Sequence, residues 1–346
     1  MTEVLVPGSD TRDVWEIYLS PTWLPALLFA DDLGVLVSIA GAPGSADEVA
    51  SRLGLNSRVL RSVLTLLAAL GYLVPRGGRY HITDAARQHL LPSSPLYWGG
   101  VWASMRKGNS LCERLQEALT TPDPPEEIPH GHGDRNVDEW ASGHMSAEAA
   151  ASMTRYMHSH SAAAAIAVAQ SDLFASTRRL LDVGGCSGVF SIALAARHPG
   201  LACTIMDLPA VCALTPGFVT GRALADRIDT HAADMFRDPW PPDYDAVFFS
   251  NIFHDWRPVT CLGLARRAFA VLPPGGTINL HEMLLNDDGS GPRTAAAFSV
   301  LMALGTQGQQ FTFGQLESLL TDAGFTGIEC CSTSPLYSLV RGRKPE

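Results

Sequence analysis

Leu180-Leu181-Asp182-Val183-Gly184-Gly185-Cys186-Ser187-Gly188 is the stretch whose reading decides the fold. An apolar run ends on an acid, three glycines follow within five positions, and Phe190-Ser191-Ile192-Ala193-Leu194-Ala195 resumes at helical spacing, so the segment reads as strand, tight turn, helix. Glycine suits such a turn because a ligand can lie against bare backbone and because the torsions required are ones a Cβ resists. A βα turn of this kind receives a nucleotide, and two templates are open. The dinucleotide pattern G-x-G-x-x-G, counted from Gly184, asks for glycine at Cys186 and at or near Val189 and finds neither. The pattern acid-x-Gly-x-Gly-x-Gly finds Asp182, Gly184 and Gly188 in place, with Cys186 where the middle glycine usually stands.

Downstream of Ser171, short apolar strands alternate with helices. The strands are expected at Leu180–Val183, Cys203–Met206, Thr230–Ala232, Ala246–Phe249, Thr277–Leu280, Ile328–Cys331 and Leu336–Val340. Helices are expected at Val189–Arg197, Cys261–Val271 and Phe313–Ala323, the last closed by Gly324. Alternating β and α implies a parallel, doubly wound sheet with ligands at the carboxyl ends of its strands.

Upstream, residues 11–40 carry apolar positions at helical spacing. Ser45 with Glu48 makes a capping box at the start of a short helix, Arg58–Leu70 runs as a second amphipathic helix, and Gly71–Val74 with Tyr80–Ile82 forms a hairpin around Arg76-Gly77-Gly78. Helix, turn, helix and hairpin in that order predict a winged helix. Its second helix leaves only Arg58, Arg61, Ser62 and Thr65 to face a groove, too few polar side chains for base readout, so a dimerisation or substrate-lid role is favoured over DNA binding. Trp98–Gln170 is mainly helical, broken by a proline-rich, acidic loop at Thr121–Pro129, with alanine-rich Ala147–Ala169 leading onward. These shifts divide the chain into an N-terminal domain (1–100), a helical connector (101–170) and a nucleotide-binding domain (171–346).

A length of 346 residues accommodates two domains, and the 46% hydrophobic and 17% charged content is that of an ordinary globular protein. A net charge of −10 argues against nucleic acid or an anionic membrane as partner. Met1–Asp10 has neither a basic segment nor an apolar core, the apolar run Ala162–Ala169 falls far short of the roughly 20 residues of a spanning helix, and seven cysteines form no C-x-x-C, so a cytoplasmic protein with reduced thiols is expected.

Acids punctuate successive strand ends: Asp182, then Asp207 in Met206-Asp207-Leu208-Pro209, then Asp234 in Ala233-Asp234-Met235-Phe236. Asp207 lies 19 residues beyond Gly188, where a carboxylate accepts both hydroxyls of a ribose, and Asp234 beside Met235 suits an adenine. The fourth strand runs into Asn251-Ile252-Phe253-His254-Asp255-Trp256, and the fifth into His281-Glu282-Met283. A histidine on the rim of the cleft can take a proton near neutral pH, and Glu282 on the adjacent strand end can hold its tautomer.

From about Leu24 to its end the chain resembles the small-molecule O-methyltransferases of the plant caffeate and acetylserotonin type and their bacterial natural-product relatives. The resemblance rests on the Asp182–Gly188 turn, Asp207-Leu208-Pro209, Asp234-Met235-Phe236, His254-Asp255-Trp256, Pro274-Gly275-Gly276 and Ala323-Gly324-Phe325. It implies a class I Rossmann-like α/β domain preceded by a mostly α winged-helix dimerisation domain, a homodimer, and S-adenosylmethionine (SAM) as cofactor. Gly184, Gly185, Gly188, Asp207, Leu208, Asp234, Met235, Ser250 and Trp256 are then expected around SAM, the indole on the adenine. His254 is the expected base, with Glu282 and Asp255 beside it. Met157, His160, Leu301, Met302 and Gln310 are expected on the acceptor side. Three positions depart from the family: Cys186 replaces a glycine, Ser250 a lysine, and Gln310 a second glutamate that braces the base.

The reading is a methyltransferase acting on a hydroxyl of a small, largely apolar metabolite, without a metal. A rival keeps fold and cofactor but methylates the carbon next to the carbonyl of an α-keto acid, with His254, His281 and Glu282 as ligands of iron or zinc. Against this, His281 can simply pack on the far face of its strand, since neighbours along a strand point to opposite sides. A non-catalytic regulator that kept the cofactor fold is a third reading, opposed by the retained Asp207, Asp234, His254 and Glu282.

Overall fold

The computed structural model describes residues 17, 20–55, 57–105, 145–220, 224–287, 292, 294–295, 298–299, 301–302 and 306–346. The chain divides into two compact units, Met1–Arg106 and Lys107–Glu346. The loop expected at 121–129 and the side chains of Arg58, Arg61, Ser62 and Thr65 lie outside the described residues.

In the first unit, helices α1 (Trp23–Asp32) and α2 (Val35–Gly41) precede α3 (Ala46–Leu53) and α4 (Ser57–Ala69). The capping box at α3 is as the sequence predicts: Ser45 Oγ accepts from Glu48 N, and the Glu48 carboxylate accepts from Ser45 N at 2.8 Å. Strands β1 (Leu73–Arg76) and β2 (Arg79–Ile82) pair antiparallel across Gly77 and Gly78, whose φ values of 55° and 75° are those a two-residue hairpin turn requires. Helices α5 (Asp84–His89) and α6 (Gly99–Met105) complete the unit.

The second unit opens on α7 (Ala147–Ala169), capped by Ser146. Then follow β3 (Arg179–Val183), α8 (Val189–Arg197), β4 (Ala202–Asp207), the short α9 (Pro209–Cys212) and α10 (Pro216–Val219), and β5 (Ile228–Ala232). After these come β6 (Ala246–Ser250), α11 (Pro258–Val271), β7 (Thr277–Glu282), α12 (Phe313–Asp322), β8 (Thr326–Ser332) and β9 (Ser338–Arg343). The seven strands run in the order β5-β4-β3-β6-β7-β9-β8. Alternation along each strand sends successive side chains to opposite faces. Leu180, Ile205 and Phe248 therefore pack beneath α7 and α8, while Leu181, Val247, Phe249 and Leu280 pack beneath α11 and α12.

The sheet departs from the expected all-parallel arrangement at one edge. Strands β8 and β9 pair antiparallel to each other, and β9 inserts antiparallel beside β7. Only residues 333–337 join β8 to β9, and a connection that short cannot make the crossover that parallel strands need. Between β3 and β6 the winding direction reverses, since the chain builds outward through β4 and β5 and returns to the other side of β3. A doubly wound sheet opens its ligand crevice at such a reversal. Among the described residues no single helix is long and apolar enough to cross a membrane.

Candidate active site

A cavity lies at the carboxyl ends of β3, β4 and β6, walled by residues of α7 and of segment 298–306. Gly184, Asp207, Leu208, Asp234, Met235, Ser250 and Trp256 all line it, as do His254 and Asp255 and, on another wall, Met157, His160, Leu301 and Met302. Gly185 and Gly188 do not. A Cβ on Gly185 would stand 2.6 Å from the Asp182 carboxyl carbon, and one on Gly188 would meet Ile205 Cδ1 at 2.4 Å. Both glycines thus serve the packing of the turn, and only Gly184 faces the cavity.

Asp182 is buried beneath this turn, and its Oδ2 accepts from Ser191 Oγ at 2.6 Å. Burial pushes its carboxyl up to about 7, opposed by the Ser191 hydrogen bonds and reinforced by Asp207. Asp207 accepts from Cys186 N at 2.9 Å and Leu208 N at 2.8 Å, which ties the end of β4 to the turn after β3. Burial raises it to about 6 against those two hydrogen bonds. Asp234 also shapes the loop after β5, its Oδ2 paired with Arg237 at 2.5 Å and its Oδ1 accepting from Phe236 N at 2.8 Å. Trp256 is 1% exposed, with its ring edge-on to Phe236 at 4.8 Å.

A half-buried carboxylate at the β4 end, apolar Leu208 and Met235, and an indole form a set suited to an adenosine, one polar edge for ribose hydroxyls and flat apolar flanks for a base. The residues present fit the group that the glycine turn implies.

His254 sits on a 3₁₀ turn, Phe253–Asp255, just past β6. Asn251 starts that turn in the left-handed region, φ 55°. Glu282, at the end of β7, is buried behind it: Oε1 accepts from Ile252 N at 3.2 Å and Phe253 N at 3.0 Å, while Oε2 lies 2.7 Å from His254 Nδ1. The two backbone donors commit one carboxylate oxygen, and the other faces Nδ1. Gln310 is not on the cavity wall where an acceptor contact would put it. It is buried beside the imidazole, its amide 3.2 Å from Nδ1. His254 Nε2 is thereby left on the side of Asp255, whose Oδ1 is 3.7 Å away. Burial alone would lower the imidazole pKa, but the Glu282 and Asp255 carboxylates outweigh it and raise it to about 9. His160 shows the opposite balance, lowered to about 4 by burial and by the charge of His254.

His281 points away from this set. Its Nδ1 lies 3.0 Å from Ser250 Oγ and its Nε2 3.0 Å from Thr333 Oγ1, and its ring stacks on Tyr337 at 4.9 Å. The structure brings His254 and Glu282 together and leaves His281 on the other face of β7 with both nitrogens occupied, the arrangement that strand alternation favours. Two cavity residues have no signature in the sequence. Phe298, whose ring meets His254 edge-on at 5.2 Å, lies in no motif, and Asn251 is only the residue between a strand and its turn.

A family model described as O-methyltransferase domain matches residues 115–326. The 3-hydroxy-5-methyl-1-naphthoate 3-O-methyltransferase of Streptomyces sahachiroi is 36% identical over 87% of this chain and 86% of its own. The L-tyrosine C(3)-methyltransferase of Streptomyces lavendulae is 28% identical over 86% and 81%. Among solved structures, CalO1, a methyltransferase of calicheamicin biosynthesis in its S-adenosylhomocysteine (SAH)-bound form, superposes with a TM-score of 0.79 at 25% identity, covering 97% of this chain and 98% of that one.

Proposed function

As a member of the O-methyltransferase domain family, to which it belongs, this chain is a SAM-dependent methyltransferase, and we propose that it methylates a hydroxyl of a small, largely apolar natural product with His254 as general base. The observation that carries this reading is the placement of Glu282: with Oε1 committed to two backbone N–H groups, Oε2 stands 2.7 Å from Nδ1, a position that favours a proton there and Nε2 as the basic nitrogen of the neutral ring. The 36% identical relative, named for transfer to a naphthoate hydroxyl, suggests a hydroxylated bicyclic aromatic acid as a first acceptor to try.

Gly184, Asp207, Leu208, Asp234, Met235, Ser250 and Trp256 would hold SAM. When bound, SAM supplies an electrophilic methyl on a sulfonium leaving group. The protein's own part is alignment and a proton acceptor, and alignment is where most of the barrier reduction in a two-reactant displacement can come from. A phenol has a pKa near ~10, so at neutral pH it arrives protonated. With its pKa raised to about 9 the ring is mostly protonated at pH 7, so it acts as base from the neutral form that prevails as pH approaches 9, where its basicity nears that of a phenolate. Met157, His160, Leu301 and Met302, joined by Phe298, present a largely apolar wall that orients a flat acceptor and excludes water.

The N-terminal unit, with α3, α4 and the β1–β2 hairpin in winged-helix order, is read as a dimerisation module. Exposed Phe29, Leu33 and Val37 on and between α1 and α2 support an apolar partner-facing surface, and sedimentation of the full chain checks it. A cytoplasmic location is consistent with the free thiols at Cys186, Cys203, Cys212 and Cys261.

The test is His254→Ala, assayed with methyl-tritiated SAM against hydroxynaphthoates and simpler phenols. Turnover should vanish while SAH binding by calorimetry stays within a few-fold of wild type. Normal turnover in that variant sinks the assignment.

A further inference from the structure

Gln310 ends a short strap, residues 306–310, that lies directly on the backbone of the base. A Cβ built on Gly308 would stand 2.0 Å from the His254 carbonyl oxygen, 2.6 Å from its carbonyl carbon and 2.6 Å from Trp256 N. All three are backbone atoms and none can rotate aside. Gly308 is not among the residues with positive φ, so torsion is not what calls for glycine here; the close approach is.

The strap is fastened on the same turn, where Gln307 N donates to Asp255 O at 3.1 Å. Internally, Gly308 N donates to Thr306 Oγ1 at 3.1 Å, and Gln310 N donates to Ser299 Oγ at 3.1 Å. It also reaches the acceptor wall, since Thr306 N and Oγ1 both donate to Met302 O, at 2.7 and 2.8 Å, and Thr306 and Met302 both line the cavity. The turn beneath is anchored independently. Glu282 holds Ile252 N and Phe253 N, Cys261 Sγ donates to Phe253 O at 3.1 Å, and Phe253 and Trp256 are buried in the sheet core. If a side chain is forced in at 308, the strap is the part that yields.

We propose that Gly308 is a positioning residue: its bare Cα lets the 306–310 strap seat on the His254–Trp256 backbone, and that seating sets both the Gln310 contact on the imidazole and the acceptor wall at Met302. The proposal rests on His254 being the base.

Gly308→Ala tests it. Displacing aligned groups by about 1 Å costs roughly 10²-fold in rate, so kcat should fall by about that factor. The acceptor KM should rise, and the pH–rate midpoint should move as Gln310 leaves Nδ1. SAH affinity by calorimetry should stay within about three-fold, because Trp256 and Asp207 belong to parts that do not move. Wild-type kcat and KM overturn the proposal, and so does a loss of SAH binding in proportion to kcat, which would mark a general packing role. Should Gly308→Ala fail to fold, Ser299→Ala removes the strap's anchor at Gln310 N without adding bulk. A several-fold lower kcat with a shifted pH midpoint supports the seating, and unchanged kinetics overturns it. Activity in Gly308→Ala beside an inactive His254→Ala defeats only this proposal; activity in His254→Ala defeats the reading beneath it.

Discussion

Glu282→Gln is nearly isosteric, yet it should be almost as damaging as removing the base. Ile252 N and Phe253 N are both donors and both point at Oε1, at 3.2 and 3.0 Å, so a glutamine here must place its carbonyl oxygen toward them. Its NH₂ then faces His254 Nδ1 across 2.7 Å, where the carboxylate oxygen had been. An NH₂ donates, so Nδ1 must accept, and the imidazole proton moves to Nε2, the nitrogen that is to act as base. The opposite amide orientation aims the NH₂ at two backbone donors and leaves both without an acceptor in a buried site, a cost of about 1–3 kcal/mol each. Inverting a catalytic histidine's tautomer by the same acid-to-amide change costs roughly 10⁴ in kcat in the serine-protease triad. A fall of about 10³–10⁴ is expected here, with SAH affinity unchanged. Steady-state methyl transfer gives kcat, and ¹⁵N shifts of His254 recorded above pH 9, where the ring is neutral, report the tautomer: protonated Nδ1 in wild type, protonated Nε2 in the variant. Near-normal kcat, or a wild-type tautomer in an inactive variant, refutes the reasoning.

The raised pKa of His254 also has a stability consequence. Its folded value of about 9 lies above the ordinary 6.5, so the protonated ring stabilises the fold fully below pH 6.5, and that contribution is lost as pH rises through about 9. Thermal melts of the ligand-free chain between pH 6 and 10 should show this decline, and His254→Gln should flatten it; equal slopes in the two proteins speak against the coupling with Glu282. For the cofactor side, Asp207→Asn keeps the size of a group expected to accept charged hydrogen bonds from ribose hydroxyls, each about 1.5–3 kcal/mol, so SAH affinity by calorimetry should drop roughly 10- to 100-fold. Wild-type affinity would remove Asp207 from the site.

What the sequence makes legible follows from how local each signal is. All seven strands of the second unit overlap their expected positions, and α8 spans the very residues expected, because alternation and glycine punctuation act over a few neighbours. The cofactor side inherits that locality. Gly184, Asp207, Asp234 and Ser250 each follow directly from a strand end, and the parallel pairing of β3 with β4 and with β6 brings those ends together whatever the loops do. Even there, the packing escapes a motif, since a Cβ at Gly185 or Gly188 would collide with Asp182 or Ile205 beneath it. The acceptor side is a different case. Its walls come from α7 and from residues between 298 and 306, more than 100 residues apart in sequence, and no spacing rule relates them. Gln310 shows the consequence: its place beside the base is legible only through the family resemblance, and in the structure the strap of Gly308 lies on the His254 carbonyl with the amide behind the imidazole. Donor recognition is thus written in turns that a sequence displays one at a time, whereas the acceptor pocket depends on how closely a distant backbone can approach the catalytic turn, a property that a single missing Cβ decides.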